Sequence, residues 1–248
     1  SNYVGRSFNI DVDGGIYIFK NFRINSALRL HTTDILNRGM EEFDDTLTRY
    51  GALPNVVDST NLIHEVALAY DNRPQREYSE KGTFAKGAYF FSLKNLGSDK
   101  TFHGYRLETI HLFPLIKDKI NSVFRLQIER IYGSRIPFYE LAALGGPFEL
   151  RAFMPRRFVD QGKIVFQIEE RIQLIKMQIF GFKFRVDVDP FFEVGRVFDA
   201  FANLGFNDWQ PVGGVGFRMF VPPNIVGRVD MAIGSDGFEI YTALGFPF

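Results

Sequence analysis

Most side chains in this sequence that are able to do chemistry stand where they do none of the familiar kinds. The four histidines lie at 31, 64, 103 and 111, with no spacing that brings two of them onto one metal. There is no cysteine, which removes disulfides, thiolate metal sites and thiol nucleophiles. Asp187 and Asp189 offer two carboxylates, but Lys183 and Arg185 alternate onto the same face, so the four make a mixed-charge row and not a cation site. No nucleophile has a base at a telling spacing, and no glycine-rich loop is placed to cradle phosphate. The expectation is a protein that is not an enzyme and holds no cofactor and no metal. What remains is ionic. The stretch LGGPFELRAFMPRRF, residues 144–158, sets an isolated Arg151 among Phe148, Leu150 and Phe153 inside one long loop. A solvated loop has no use for three large apolar side chains, so this one folds back and buries itself. An arginine carried along is drawn out of water and needs a carboxylate, preferably in fork geometry. Without such burial, Arg151 is an ordinary exposed loop arginine.

Whatever holds such a loop is built from strands, because the chain around it alternates. Over 163–174, Ile164, Phe166, Ile168, Ile172 and Leu174 fall on one face, and Gln167, Glu169, Arg171 and Gln173 on the other. Over 182–189, Phe182, Phe184, Val186 and Val188 oppose Lys183, Arg185, Asp187 and Asp189. The same period of two runs through 15–31 and 119–131, as expected of strands with one apolar and one polar side. Eleven such segments are legible: 3–12, 15–31, 61–71, 83–94, 101–114, 119–131, 163–174, 182–197, 211–221, 226–233 and 238–247. Links at one end are turn-like, at Asp13-Gly14, after Asp71, at 116–118 and at 221–224. The longest, 32–60 and 132–162, fall at the other end. In the first of these, Leu36, Met40, Phe43, Leu47 and Tyr50 follow Thr33-Asp34 at helical spacing, which predicts a short helix in that loop.

Composition narrows what the apolar face sees. The 248 residues carry 29 basic and 29 acidic side chains, so nothing in the balance points to nucleic acid. Apolar residues make up 46% and phenylalanine alone accounts for 28 positions, yet no run approaches the ~18 residues of a transmembrane helix. Several segments are ten or more residues long, where ordinary strands have ~5–6 and a barrel strand crossing a bilayer needs ~9–11. Long strands, one apolar face, one face charged with both signs, and short turns opposite long loops predict an all-β fold. The expected form is a transmembrane antiparallel β-barrel, a single domain over 1–248. Glycines on the polar face (Gly214, Gly216) and aromatics near strand ends (Tyr17, Phe19, Tyr105, Phe113, Trp209) belong to the same pattern. A large soluble β-protein is the alternative. Single-chain barrels of this kind have even strand numbers, so eleven segments predict about twelve strands. The extra strand precedes Ser1 or hides within 1–31, where Asp13-Gly14-Gly15 and Lys20-Asn21 both offer turns. Glu170 alternates onto the apolar side between Ile168 and Ile172, so it is expected near a rim or against protein, as in a homo-oligomer.

The last residues, FEIYTALGFPF, put Phe238, Ile240, Leu244, Phe246 and terminal Phe248 on one face. A terminal phenylalanine behind alternating apolar positions resembles the signal by which bacterial outer-membrane barrels are recognised for insertion, carried here by Leu244, Phe246 and Phe248. Other motifs precede it in order: ALAYDNRPQREYSEKGTF, LKNLGSDKTFHGYRLE, IPFYELAALGGPFELRAF, FQIEERI and FFEVGRVF. Together they resemble the barrel domain of the BamA/TamA outer-membrane protein superfamily, also called the bacterial surface antigen family, most strongly over 61–248. Nothing in these residues resembles the POTRA repeats common in that superfamily.

The resemblance implies that the 132–162 loop folds into the barrel, with Arg151 and Phe153 at a tip introduced by Gly145 and Gly146. It implies that Arg151 docks on a wall made of Phe191, Glu193 and Gly195, with Glu169 and Arg171 on the neighbouring strand. Alternation agrees that 167, 169 and 171 share the polar face, and so do 191, 193 and 195. Three positions depart from the family pattern: Ala152 for a tip glycine, Glu193 for an aspartate and Gln167 for an asparagine. Ala152 tolerates a positive φ poorly, so a different turn is expected there. The implied place is the outer membrane of a Gram-negative bacterium. The implied partners are the lipid bilayer with lipopolysaccharide, the insertion machinery through the C-terminal strand, and a polypeptide substrate. The implied function is outer-membrane protein insertion or polypeptide translocation. The alternative is a small passive pore or structural barrel without transport machinery.

Overall fold

The computed structural model describes residues 5–35, 57–74, 79–179, 182–221 and 225–247. Residues 36–50 of the expected helix and the terminal Phe248 lie outside them, whereas Thr33 and Asp34, expected to cap that helix, are strand. The strands are β1 (Gly5–Phe19), β2 (Phe22–Ile35), β3 (Ser59–Asp71), β4 (Gly82–Ser92), β5 (Phe102–Ile116), β6 (Ile120–Gly133), β7 (Ala142–Leu144), β8 (Phe158–Asp160), β9 (Gly162–Ile179), β10 (Phe182–Phe198), β11 (Gln210–Val221), β12 (Ile225–Gly234) and β13 (Gly237–Leu244). One eleven-stranded sheet runs in the order β1-β2-β3-β4-β5-β6-β9-β10-β11-β12-β13, and β7 and β8 pair apart from it. Neighbours in the sheet are also neighbours in sequence, apart from the β7–β8 ribbon inserted between β6 and β9. This is the meander expected when each link is a hairpin turn or a loop.

Eleven strands join the sheet among the described residues, where about twelve were expected. Residues 5–35 supply two of them. β1 runs straight through Asp13-Gly14-Gly15, which pair with Ala27, Ser26 and Asn25, and the chain turns at Lys20-Asn21. The parity of the apolar residues explains this. Phe8, Ile10, Val12, Ile16 and Ile18 keep one side without a break, whereas a two-residue turn at Asp13-Gly14 would put Val12 and Ile16 on opposite faces.

From β9 to β12 the sheet buries polar side chains and exposes apolar ones. On β9, Lys163, Gln167, Glu169 and Arg171 are buried while Phe166 and Leu174 are exposed. On β10, Asp187, Asp189 and Glu193 are buried while Phe192 is exposed. Arg218 beside Phe217, and Arg228 and Asp230 beside Val229, repeat the pattern on β11 and β12. Glu170, on the apolar side, accepts a hydrogen bond from Ser122 Oγ of β6 at 2.6 Å, so its carboxylate has a partner within its own sheet.

Two compact units divide the chain, the first made of Ser1–Ala69, Gly87–Arg106 and Arg130–Leu141, the second of Tyr70–Lys86, Leu107–Glu129 and Ala142–Phe248. In the first, the start of the 134–161 loop is tied down by Tyr139 and Glu140. Tyr139 Oη is 2.5 Å from Ser59 Oγ and donates to the Val57 carbonyl at 2.9 Å. Burial pushes its phenol up to about 12. Glu140 meets His31 Nδ1 at 3.3 Å and Asn61 Nδ2 at 3.4 Å. On the apolar side of this unit, Tyr89, His103, Tyr132 and Tyr105 form a row of rings with centroids 5.5–6.2 Å apart.

Candidate functional site

The site lies in the second unit, where the loop carrying Arg151 meets the polar face of β9–β13. The loop is itself a small hairpin. Ala142, Ala143 and Leu144 pair with Asp160, Val159 and Phe158, so the ribbon presents residues 145–157 as its tip. Gly145 and Gly146 take φ of 109° and 115°, a region L side chains avoid. A Cβ on Gly145 would also run into the Met154 carbonyl. The tip closes with Gly146 N donating to the Phe153 carbonyl at 2.9 Å. Leu150, at φ 53°, supplies the left-handed residue that turns the chain into Arg151. Ala152 therefore needs no positive φ, which is how an alanine is accommodated at this position.

Around that turn the apolar side chains of the loop complete a small core. Leu144, Leu150, Ala152 and Phe153 pack with Val165, Phe191, Val212 and Ala232 of β9, β10, β11 and β12. Apolar burial of this kind contributes roughly 25 cal/mol per Å². It places Arg151, which is 0% exposed, against the sheet. The Arg151 backbone N donates to Glu193 Oε2 at 2.7 Å and its Nε to Glu193 Oε1 at 2.8 Å. Nη1 donates to Glu169 Oε2 at 3.1 Å and to Asp230 Oδ1 at 3.3 Å. The guanidinium lies over the Phe191 ring, 3.4 Å from its centroid. Burial opposes the charge on Arg151, but Glu193, Glu169 and Asp230 outweigh that and hold it more firmly protonated than a free arginine.

The charges on the sheet are mutually compensated. Arg218 pairs with Asp230 at 2.6 Å, with Glu169 at 3.4 Å and with Asp189 at 3.2 Å, the last outside hydrogen-bond geometry. Arg228 faces Asp230 at 3.2 Å, Arg171 binds Glu169 at 3.1 Å and Arg185 binds Asp187 at 2.9 Å. Five guanidinium groups (151, 171, 185, 218, 228) thus meet five carboxylates (169, 187, 189, 193, 230). The loop backbone is held as well. Arg228 donates to the Pro147 carbonyl at 2.8 Å, while Gln167 and Arg125 donate to the Phe148 carbonyl at 3.0 and 3.3 Å. Tyr241 Oη donates to the Phe153 carbonyl at 2.7 Å, and Lys163 grips both oxygens of Glu149 at 2.9 and 2.6 Å. Such an arrangement fixes a loop to a wall through charge-assisted bonds at several points.

Of the residues singled out in the sequence, Arg151, Phe191, Glu193 and Glu169 meet directly. Gly195 lies under the ribbon, where an added Cβ would sit 3.1 Å from Leu144 Cδ1. Arg171 and Arg151 share Glu169. Gln167, in place of an asparagine, donates to both Phe148 O and Glu193 Oε1, so the longer amide spans loop and wall. Leu244 is exposed on the apolar side. Phe246 leaves that side. β13 ends at Leu244, Gly245 takes φ 85°, and the Phe246 ring stacks under Arg171 at 4.0 Å. Alternation could not extend past a left-handed residue. Sequence reasoning missed Asp230, Arg218, Arg228 and Tyr241. Alternation does put them on the polar face, but which of them faces Arg151 depends on the register of β10 through β13.

Comparison with known proteins bears on the fold and the family. None of the curated protein sequences compared with the chain matches it. Among solved structures, BamA from Haemophilus ducreyi lacking POTRA domains 1–3 is similar to it with a TM-score of 0.70 at 15% identity, over 97% of this chain. The chain spans about half the length of that structure, 53%. Residues 1–207 match the Omp85 superfamily domain, and the chain belongs to that superfamily.

Proposed function

We propose that this Omp85-superfamily chain is the wall of an outer-membrane barrel that handles polypeptides, inserting them into the membrane or moving them across it. The loop of residues 134–161 acts as a fixed brace. One observation carries the reading: the Arg151 tip is locked by Glu193, Glu169 and Asp230 to the buried polar face of a sheet whose other face is apolar. A sheet with charges buried and phenylalanines exposed is unfavourable in water and favourable in lipid. The row Tyr89, His103, Tyr132 and Tyr105 near strand ends fits an interfacial aromatic girdle. The partners of this reading are the bilayer, lipopolysaccharide in its outer leaflet, the machinery that inserts the barrel, and an unfolded polypeptide.

The test is insertion by the full protein reconstituted in phosphatidylcholine vesicles. A urea-unfolded eight-stranded barrel protein is added, and its conversion to a protease-resistant band is followed. The expected result is faster conversion than with empty vesicles. No acceleration, together with a steady single-channel conductance in planar bilayers, would replace this reading with that of a passive pore.

A further inference from the structure

The β10–β11 connection, residues 199–209, has no part in the brace, yet it is built with care. Asp199 accepts from Asn203 Nδ2 on both oxygens at 2.9 Å and opens a single 3-10 turn, Phe201–Asn203. Arg196 donates to the Gly205 carbonyl at 2.9 Å and the Asn203 carbonyl at 3.1 Å, and stands 3.7 Å from Asp208. Trp209 Nε1 donates to the Gly205 carbonyl at 3.1 Å. A loop tied at both ends and through its middle is preorganised, and what it presents is apolar: Phe206 is 102% exposed and Phe201 43%.

The side of the sheet on which this loop rests follows from parity. Glu193 and Gly195 face the Arg151 loop, so Arg196 and Phe198 face the other way, along with exposed Phe192. Val212 belongs to the core under the brace, so Trp209 also points to the apolar side. The loop packs on these apolar-side residues. The Phe201 ring lies 4.8 Å from that of Phe198, tilted by 44°, and Phe198 fills the space beside Gly162. Arg196, on the same side, is drawn up to the loop carbonyls at the strand end, as a long cationic side chain does at the edge of an apolar surface.

We propose that residues 199–209 form an interfacial lipid anchor that lays Phe206, flanked by Phe201 and Trp209, into the headgroup boundary of the bilayer. This rests on the reading of the apolar face as lipid-facing. The loop continues that face at the strand ends, where aromatic rings with one polar edge favour the boundary between water and hydrocarbon. The rigid backbone lowers the entropy lost on insertion. The occupant is lipid because the loop adjoins exposed apolar wall and its cation is spent on its own carbonyls.

Trp209 is the single tryptophan of the 248 residues, which allows the test to be read by fluorescence. The double variant Phe206→Trp/Trp209→Phe moves the reporter to the tip. A second, Phe217→Trp/Trp209→Phe, puts it on the apolar face of β11. Both are reconstituted in phosphatidylcholine vesicles whose lipids are brominated either near the glycerol or near the chain ends. The tip tryptophan is expected to be quenched at least about twofold more by the shallow bromines, as for a side chain ~5–10 Å into the boundary. The β11 tryptophan is expected to be quenched by the deep ones. Quenching of the β11 reporter with none at the tip would overturn the anchor and leave the membrane wall standing. Quenching of neither would overturn both.

Discussion

Arg151 and Glu193 share two hydrogen bonds, one from the arginine's backbone N at 2.7 Å and one from its Nε at 2.8 Å. The pair therefore fixes the loop backbone and the guanidinium at once. Glu169 and Asp230 hold the far side of the same guanidinium.

Removing that arginine leaves three buried carboxylates with less compensation. Loss of one partner from a buried pair typically costs ~3–5 kcal/mol, reduced where water can enter. Arg151→Ala is expected to lower the temperature at which the protein stops migrating as a folded band in semi-native gels. Arg151→Lys, which keeps the charge and loses the fork, is expected to fall between the two. An unchanged temperature for Arg151→Ala would mean that the ion pairs do not hold the loop.

Gly214 reaches the same site by a different route. A Cβ there would collide with the Phe191 ring and the Met231 carbonyl. That ring is the platform for the Arg151 guanidinium, 3.4 Å away. Gly214→Ala is expected to destabilise by ~1–3 kcal/mol, the usual range for overpacking. Its cost should shrink in the Arg151→Ala background, because contacting residues are not additive. Full additivity on the gel assay would show that Phe191 does not transmit the strain to Arg151.

The strands were legible because period two persists over long segments, and each of the eleven sheet strands overlaps a segment read from alternation. The first turn was legible in principle: the unbroken parity of Phe8 through Ile18 carries more weight than a local Asp-Gly signal. Arg151 stood out as a lone cation among apolar neighbours, and the family resemblance supplied Glu193 and Glu169. Asp230 and Arg218 were not legible as partners. Their side of the strand follows from the sequence, but β12 meets the loop only because β10, β11 and β12 stack Glu193 on Val212 and Gly214 on Ala232 in register. That register comes from cross-strand packing, which no single strand encodes.

Glu170 offers a test on the apolar side. Its carboxylate takes a hydrogen bond from Ser122 Oγ at 2.6 Å. Ser122→Ala removes a donor from a charge on the apolar face, with an expected cost of ~1–3 kcal/mol. Glu170→Leu removes the charge and is expected to recover that loss in the double variant, with no change of oligomeric state on cross-linking. A change in oligomeric state would mean that the carboxylate also serves a contact between copies.

Phe192 and Glu193 are consecutive on β10 and point to opposite faces, the first 45% exposed and the second 0%. Their contrast separates a membrane wall from a water-soluble sheet. In water, an exposed Phe192→Arg would change stability by no more than ~0.5 kcal/mol, as surface substitutions usually do. Against hydrocarbon, an arginine on the lipid face costs ~2–4 kcal/mol at the bilayer midplane and ~0–1 kcal/mol near the interfaces. Phe192 pairs across to Gly213 and Ile168 with paired residues on both sides of it, so it lies within the sheet and not at a rim. Phe192→Arg is therefore expected to destabilise the protein folded in phosphatidylcholine vesicles by an amount in the upper range, measured by reversible guanidinium titration. Phe192→Leu, apolar and smaller, is expected to cost far less. Equal stability of the arginine and leucine variants would place Phe192 in water and remove the bilayer from the account of this face.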